Sequence, residues 1–181
     1  MKTLEPLPIS GLRLIQPDIY NDARGYFFES YNYETFKNLG IEDIFVQDNQ
    51  SVSKKNVIRG LHFQMPPFAQ AKLVRVVKGA ALDVVVDIRK ESPTYGQHLS
   101  VLLNDENQLQ LYIPVGFAHG FAALEDDTLF AYKCSNLYHK DSEQSLLFND
   151  KDLNINWNIE NPIVTDKDLQ AICFKDFISP F

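Results

Sequence analysis

The chain has 181 residues and a mass of 20.8 kDa, which suits one domain burying roughly 70% of its unfolded surface and is too short for two ordinary ones. Apolar residues at 45% and charged residues at 23% exclude a disordered or fibrous chain. A net charge of −7 argues against a surface that coats nucleic acid, because such surfaces carry a basic excess. The charge is uneven. Residues 51–90 hold eight of the 17 basic side chains and two of the 24 acidic ones, so this stretch is +6 and the remainder −13. An acidic protein with one basic segment points to a local anion site.

The start, Met1 followed by a polar, proline-containing stretch, lacks the pattern of a secretion signal, and no run approaches 18 apolar residues. A cytoplasmic protein without a membrane partner is expected. Tyr33 to Leu39, closed by Gly40, reads as a helix. Strands rich in β-branched and aromatic residues follow at Leu73–Val77, Leu82–Ile88, Leu109–Ile113 and Thr128–Cys134, punctuated by Gly79, Ser92-Pro93, Gly116 and Asp126-Asp127. A second helix is expected over Asp166–Phe174. Many short strands without alternating helices predict a mainly β sandwich or barrel, one domain spanning residues 1–181. Cys134 and Cys173 belong to no Cys-x-x-Cys pair, which fits two reduced thiols and leaves a disulfide open.

In Ile58–Gln64, strand alternation turns Leu61 and Phe63 to one side, and His62 and Gln64 to the other, toward a pocket or solvent. The same parity groups Lys72 with Val74 and Val76, and Asp83 with Val85 and Asp87. A charge among such residues is expensive to bury without a partner. Lys72 alone fits an edge-strand lysine as readily as a functional one. In Pro114-Val-Gly-Phe-Ala-His-Gly-Phe121, a tight corner presents His119, which alone fits a hydrogen-bonded structural role or a functional one. Two histidines raise the question of a metal. The amide of Gln64 and the cation of Lys72 stand where further ligands would help, so no metal is expected.

These two segments resemble the paired cupin motifs: His62-x-Gln64, Lys72, six residues and Gly79, then Pro114-x-Gly116-x-x-His119. The resemblance implies a jelly roll in which Gln64 and Lys72 replace two of the usual metal ligands. It sharpens over Asp22-Ala-Arg-Gly-Tyr-Phe-Phe-Glu29, Phe45-Val-Gln-Asp-Asn-Gln-Ser51, Arg59-Gly-Leu-His-Phe-Gln64, Gln70-Ala-Lys-Leu-Val74, Asp83-Val-Val-Val-Asp-Ile-Arg89 and Ser92-Pro-Thr-Tyr-Gly96. Tyr132-Lys133, Tyr138 and Asp166-Lys-Asp168 complete the set. Together they are similar to the dTDP-4-dehydrorhamnose 3,5-epimerases over roughly residues 10–170, with residues 173–181 unplaced.

The resemblance implies a cofactor-free isomerase of dTDP-L-rhamnose synthesis, a route to O-antigen and cell-wall polysaccharide. Its substrate is a dTDP-sugar with a ketone at carbon 4, so the hydrogens on carbons 3 and 5 are both acidified. By resemblance His62 is the base, Asp168 the carboxylate that holds it, Tyr132 the acid on the opposite face, and Lys72 the cation at the enolate oxygen. Arg24, Glu29, Gln47, Asp48, Asn49, Arg59, His119, Glu143 and Lys167 match substrate-binding positions. Phe27 and Tyr138 are aromatic candidates for stacking on thymine, or else ordinary packing residues. Asp83 either orients Lys72 or His62 or caps a strand end. Asp166 reads as the helix N-cap rather than the dyad carboxylate. The family is dimeric, with residues around Arg24 and Glu29 reaching the partner's site. Alternatives kept in view are a relative acting on one carbon, a 3,4-ketoisomerase, a non-catalytic sugar-nucleotide sensor and a metal-dependent cupin.

Overall fold

A computed structural model describes residues 1–4 and 6–181. Chain order begins β1 (Lys2–Leu4), β2 (Arg13–Gln16), β3 (Tyr20–Asp22), β4 (Gly25–Phe27), α1 (Tyr33–Asn38). It continues β5 (Gln47–Ser53), β6 (Ile58–Gln64), β7 (Lys72–Lys78), β8 (Ala80–Asp87), β9 (His98–Asn104) and β10 (Gln110–Ile113). The last elements are β11 (Phe117–Ala123), β12 (Thr128–Cys134), β13 (Glu143–Ser145) and α2 (Asp166–Leu169). All four strands expected above are present, within two residues at either end.

A six-stranded sheet, β1-β2-β10-β7-β12-β5, faces a five-stranded one, β13-β6-β11-β8-β9, and β3-β4 form a separate hairpin. Every pairing between these strands is antiparallel. This is a cupin-type jelly roll. Alternation decides what each face carries. Val74, Val76, Val85, Leu111, Phe121 and Phe130 point inward and form the core between the sheets, with Phe121 and Phe130 stacked 4.0 Å apart. The opposite face of the five-stranded sheet, with Leu61, Phe63, Val84 and Val86, is covered by Leu146, Phe148, Leu153 and Trp157. Helix α1 covers the other sheet through Phe36, packed with Ile15 and Leu73. Residues beyond α2 belong to this covering layer: the rings of Phe177 and Phe181 pack on Phe63, and Lys90 N–H donates to the Phe181 carbonyl at 2.9 Å.

Asn32 caps α1 by accepting from the Thr35 N–H; the helix ends at Asn38, one residue earlier than expected, with Leu39 as its C-cap and the expected Gly40 next at φ +78°. The second helix is shorter than expected and differently capped. It ends at Leu169, and Thr165, not Asp166, is its N-cap. The reason is competition for the backbone. Ile172 donates to the Ser145 carbonyl at 3.2 Å and accepts from Leu147 N–H at 2.9 Å, so the chain joins the sheet edge instead of completing another helical turn.

Gly60 on β6 meets Gly120 on β11. A Cβ at Gly60, whose φ is +141°, would lie 2.4 Å from the Gly120 Cα, and one at Gly120 would lie 2.8 Å from the Arg59 carbonyl. Only glycines allow the strands this close.

Asp87 closes the far end of β8. Its fully buried carboxylate accepts from the Arg89 guanidinium at 2.6 and 2.8 Å, and from the hydroxyls of Ser92 at 2.6 Å and Thr94 at 2.7 Å. Burial opposes its charge, but these donors prevail and lower its pKa from 3.8 to about 2. A depressed carboxylate contributes stability that is present above its unfolded pKa and lost as pH falls through the folded value. Asp87→Asn should therefore cost about 3 kcal/mol in urea unfolding at pH 7. The gap from the native protein should narrow between pH 4 and pH 2. A pH-independent gap would contradict the charge as its source.

Candidate active site

The polar end of the barrel interior is built by five strands that each turn one to three side chains inward. On β6 these are His62 and Gln64, on β7 Lys72, and on β12 Tyr132 and Cys134. Residues Gln47, Asn49 and Ser51 come from β5 and His119 from β11. His119 and His62 are direct cross-strand partners, as are Tyr132 and Asn49. One cavity of about 310 Å³ is lined by Asn49, Arg59, His62, Lys72, His119 and Tyr132, with Lys167 and Asp168 closing it from α2. An adjoining cavity of about 140 Å³ shares Asn49, His62, Lys72 and Tyr132 and adds Gln47, Tyr138 and Glu143.

His62, 29% exposed, holds Asp168 through Nε2 at 2.6 Å from Oδ1. Burial disfavours the Asp168 charge, but the hydrogen bond and charge of His62, the Thr165 hydroxyl and the Gly60 amide overcome it and hold the carboxyl below its ordinary value. With Nε2–H donated to a carboxylate, Nδ1 keeps the lone pair that can take a proton. Asp166 is exposed on α2, and Asp168 is the carboxylate of the pair.

Burial pushes the Lys72 ammonium below its ordinary pKa, with Cys134, Asp83 and Glu143 opposing. Its Nζ lies 5.9 Å from the centroid of the Tyr132 ring. Among the described residues no carboxylate is at ion-pair distance from it. Burial also raises the Tyr132 phenol, helped by Cys134 and Glu143, so it keeps its proton at neutral pH and can donate it.

Glu143 pairs with Lys167 and accepts from the Tyr138 hydroxyl at 3.0 Å. Burial works against its ionisation, but Lys167 and Tyr138 outweigh it and its pKa is lowered. The Gln47 side chain accepts from Tyr138 N–H at 2.8 Å, which fixes the half-exposed Tyr138 loop over the smaller cavity. Arg59 is anchored by Ser53 Oγ at 3.1 Å and the Val52 carbonyl at 3.3 Å.

Not every expected residue gathers here. Asp48 lies between Gln47 and Asn49 on one strand, so its side chain leaves on the opposite face, where it pairs with Lys133 at 2.8 Å. Arg24, Phe27 and Glu29 line neither cavity. Arg24 pairs with Asp22 at 2.5 Å at the tip of the β3-β4 hairpin, and Phe27 is 69% exposed. Glu29 accepts from Asn32 and Thr35. Gln64 is structural: its amide donates to the carbonyls of Phe68 and Leu137 and accepts from His139 N–H, which pins two loops at the rim. Asp83 orients neither His62 nor a strand end. It is fully buried and bonded to His119. Sequence reasoning missed Cys134 and Ser51 as lining residues. Alternation with Tyr132 and Asn49, two positions away in each strand, is the signal that would have found them.

The family model described as dTDP-4-dehydrorhamnose 3,5-epimerase matches residues 6–176. The chain is 51% identical over 165 residues to the dTDP-4-dehydrorhamnose 3,5-epimerase of Salmonella typhimurium, covering 90% of each protein. The crystal structure of dTDP-4-dehydrorhamnose 3,5-epimerase from Elizabethkingia anophelis superimposes with a TM-score of 0.92 at 46% identity, covering 97% of both chains. The Legionella pneumophila dTDP-6-deoxy-D-glucose-3,5-epimerase, solved in complex with dTDP-4-keto-L-rhamnose, matches with a TM-score of 0.92 at 44% identity, over 96% of this chain and 93% of that one. Motifs, barrel and relatives agree, and the chain belongs to the dTDP-4-dehydrorhamnose 3,5-epimerase family.

Proposed function

We propose that the protein inverts carbons 3 and 5 of dTDP-4-dehydro-6-deoxy-D-glucose to give dTDP-4-dehydro-L-rhamnose, without a cofactor. It is an isomerase, and one observation carries the reading: a His62–Asp168 pair, Lys72 and Tyr132 converge on one cleft that also holds Arg59 and Lys167. His62 Nδ1 takes the proton from a carbon next to the ketone, and the electron pair of that C–H bond moves into an enolate. Asp168 stabilises the imidazolium that results. Lys72 neutralises the oxygen on which negative charge develops, in a site where burial makes that charge otherwise costly. Tyr132 returns a proton to the other face of the same carbon, which inverts it. Each inversion thus removes one proton and adds one; His62 then releases its proton to solvent and Tyr132 regains one from it, and the same steps follow at the other acidified carbon.

Arg59 and Lys167 suit the diphosphate, and Gln47, Asn49 and Tyr138 suit the thymine, whose paired donors and acceptors match side-chain amides. Glu143 holds Lys167 and the Tyr138 hydroxyl. Arg24, Phe27 and Glu29 fit a homodimer in which the β3-β4 hairpin of one copy reaches the cleft of the other. That none of the three lines the cleft of its own chain supports this. In this reading the whole chain is one cytoplasmic epimerase domain acting on a small molecule. No helix among the described residues is long and apolar enough to cross a membrane.

Incubating the protein with dTDP-4-dehydro-6-deoxy-D-glucose in D₂O tests the assignment. Deuterium should enter at both carbons and nowhere else on the sugar, as followed by NMR. Label at a single carbon would identify a mono-epimerase, and movement of the ketone to carbon 3 an isomerase of another kind.

A further inference from the structure

The cleft holds a second histidine–carboxylate pair that the scheme above does not use. Asp83 on β8 is fully buried, and its Oδ2 lies 2.8 Å from Nε2 of His119 on the neighbouring strand. A buried carboxylate is stable only when donors meet it. Here one oxygen has such a donor, and the other, Oδ1, has no hydrogen-bond partner among the described residues. His119 is itself 6% exposed, lines the larger cavity and stands directly across from His62. Burial lowers its pKa, as do the nearby Lys72 and His62, while Asp83 opposes this, so the ring is neutral at physiological pH.

A neutral imidazole carries one N–H, and the hydrogen bond at one nitrogen decides what the other can do. Since a carboxylate only accepts, Asp83 claims Nε2–H. Nδ1 is then an acceptor and the nitrogen available to a ligand in the cleft. The unpartnered Oδ1 places negative charge near Lys72, where it opposes the loss of the ammonium charge on burial.

We infer that Asp83 is a positioning residue: it fixes His119 as the Nε2–H tautomer, so that Nδ1 accepts a hydrogen bond from a hydroxyl of the sugar and orients the ring above His62. Specificity follows from the same geometry. A site built to accept from a hydroxyl rejects a sugar that lacks it, because a desolvated acceptor is left unpaired. The hydroxyl rests on the epimerase reading; the tautomer does not, and can be measured on the unliganded protein.

The test uses the full chain labelled with ¹⁵N-histidine. It has four histidines, and the His119 signals are those missing from a His119→Asn variant. The native protein should show His119 protonated at Nε2 and bare at Nδ1. Protonation at Nδ1, or fast exchange between the two forms, overturns the inference without any change at Asp83. In Asp83→Asn, nearly the same shape, the tautomer should lose its bias. The turnover number should fall by about 10- to 100-fold, as when other carboxylates that orient a functional imidazole are removed, with a smaller change in KM. Adding Asp83→Asn to His119→Asn should then cost little more, because the carboxylate acts through the imidazole. Turnover unchanged in Asp83→Asn, or two losses that simply multiply, would reduce Asp83 to a structural residue. Absence of deuterium uptake in the native protein would sink the epimerase reading and leave the tautomer result standing.

Discussion

His62→Ala should abolish deuterium uptake at carbon 3 and carbon 5 together, lowering each rate by about 10²- to 10⁴-fold, the usual contribution of a positioned general base. Both positions should fail because His62 is the more exposed imidazole of the cleft and has Asp168 to stabilise the charge it gains, whereas burial disfavours a charged His119. The other imidazole is bound to Asp83. Binding of dTDP, measured by calorimetry, should change little, since the groups assigned to the nucleotide are Arg59, Lys167, Gln47, Asn49 and Tyr138. Exchange persisting at one carbon would mean that a second base serves it, and His119 would be the first place to look.

Lys72→Met should lower the turnover number by about 10²- to 10³-fold, the cost of removing a group that meets developing charge in a desolvated site. Thermal stability should stay the same or rise. The native ammonium is half-buried, without a carboxylate at ion-pair distance among the described residues, and its desolvation lowers its pKa. A charge in that position costs folding energy, which a methionine of similar length avoids. Lys72 is thus a case of stability given up for activity. A variant that is active, or that loses several kcal/mol in unfolding, would contradict this account.

Much of this site was legible because strands alternate. The pairing of Lys72 with Val74 and Val76, and of His62 with Gln64, needed only the period of two, and the barrel uses both. Alternation also held a warning that the motif match passed over: Gln47, Asp48 and Asn49 are consecutive in β5 and cannot share a face. What the residue pattern could not supply were partners distant in sequence. Asp83 and His119 are 36 positions apart and His62 and Asp168 are 106 apart, and no local signal chooses between such carboxylates. The shortness of α2 was hidden for a related reason. Its propensity to continue is overruled by sheet hydrogen bonds from Ile172 to residues 145 and 147, formed only once the barrel has closed. Gln64 shows the converse case: the departure from the metal-binding motif was readable, while the two loops that its amide holds were not.

The contact of Gly60 with Gly120 bears on how such an enzyme can diversify. His62 lies two residues beyond one glycine and His119 one residue before the other, so main chain resting on main chain sets the spacing of the two imidazoles. Substitutions at Ser51, Phe130 or Cys134, which line the cavities, can reshape the cleft without moving that fulcrum. New sugar specificities can therefore arise by exchanging lining side chains while the proton-transfer geometry is inherited intact.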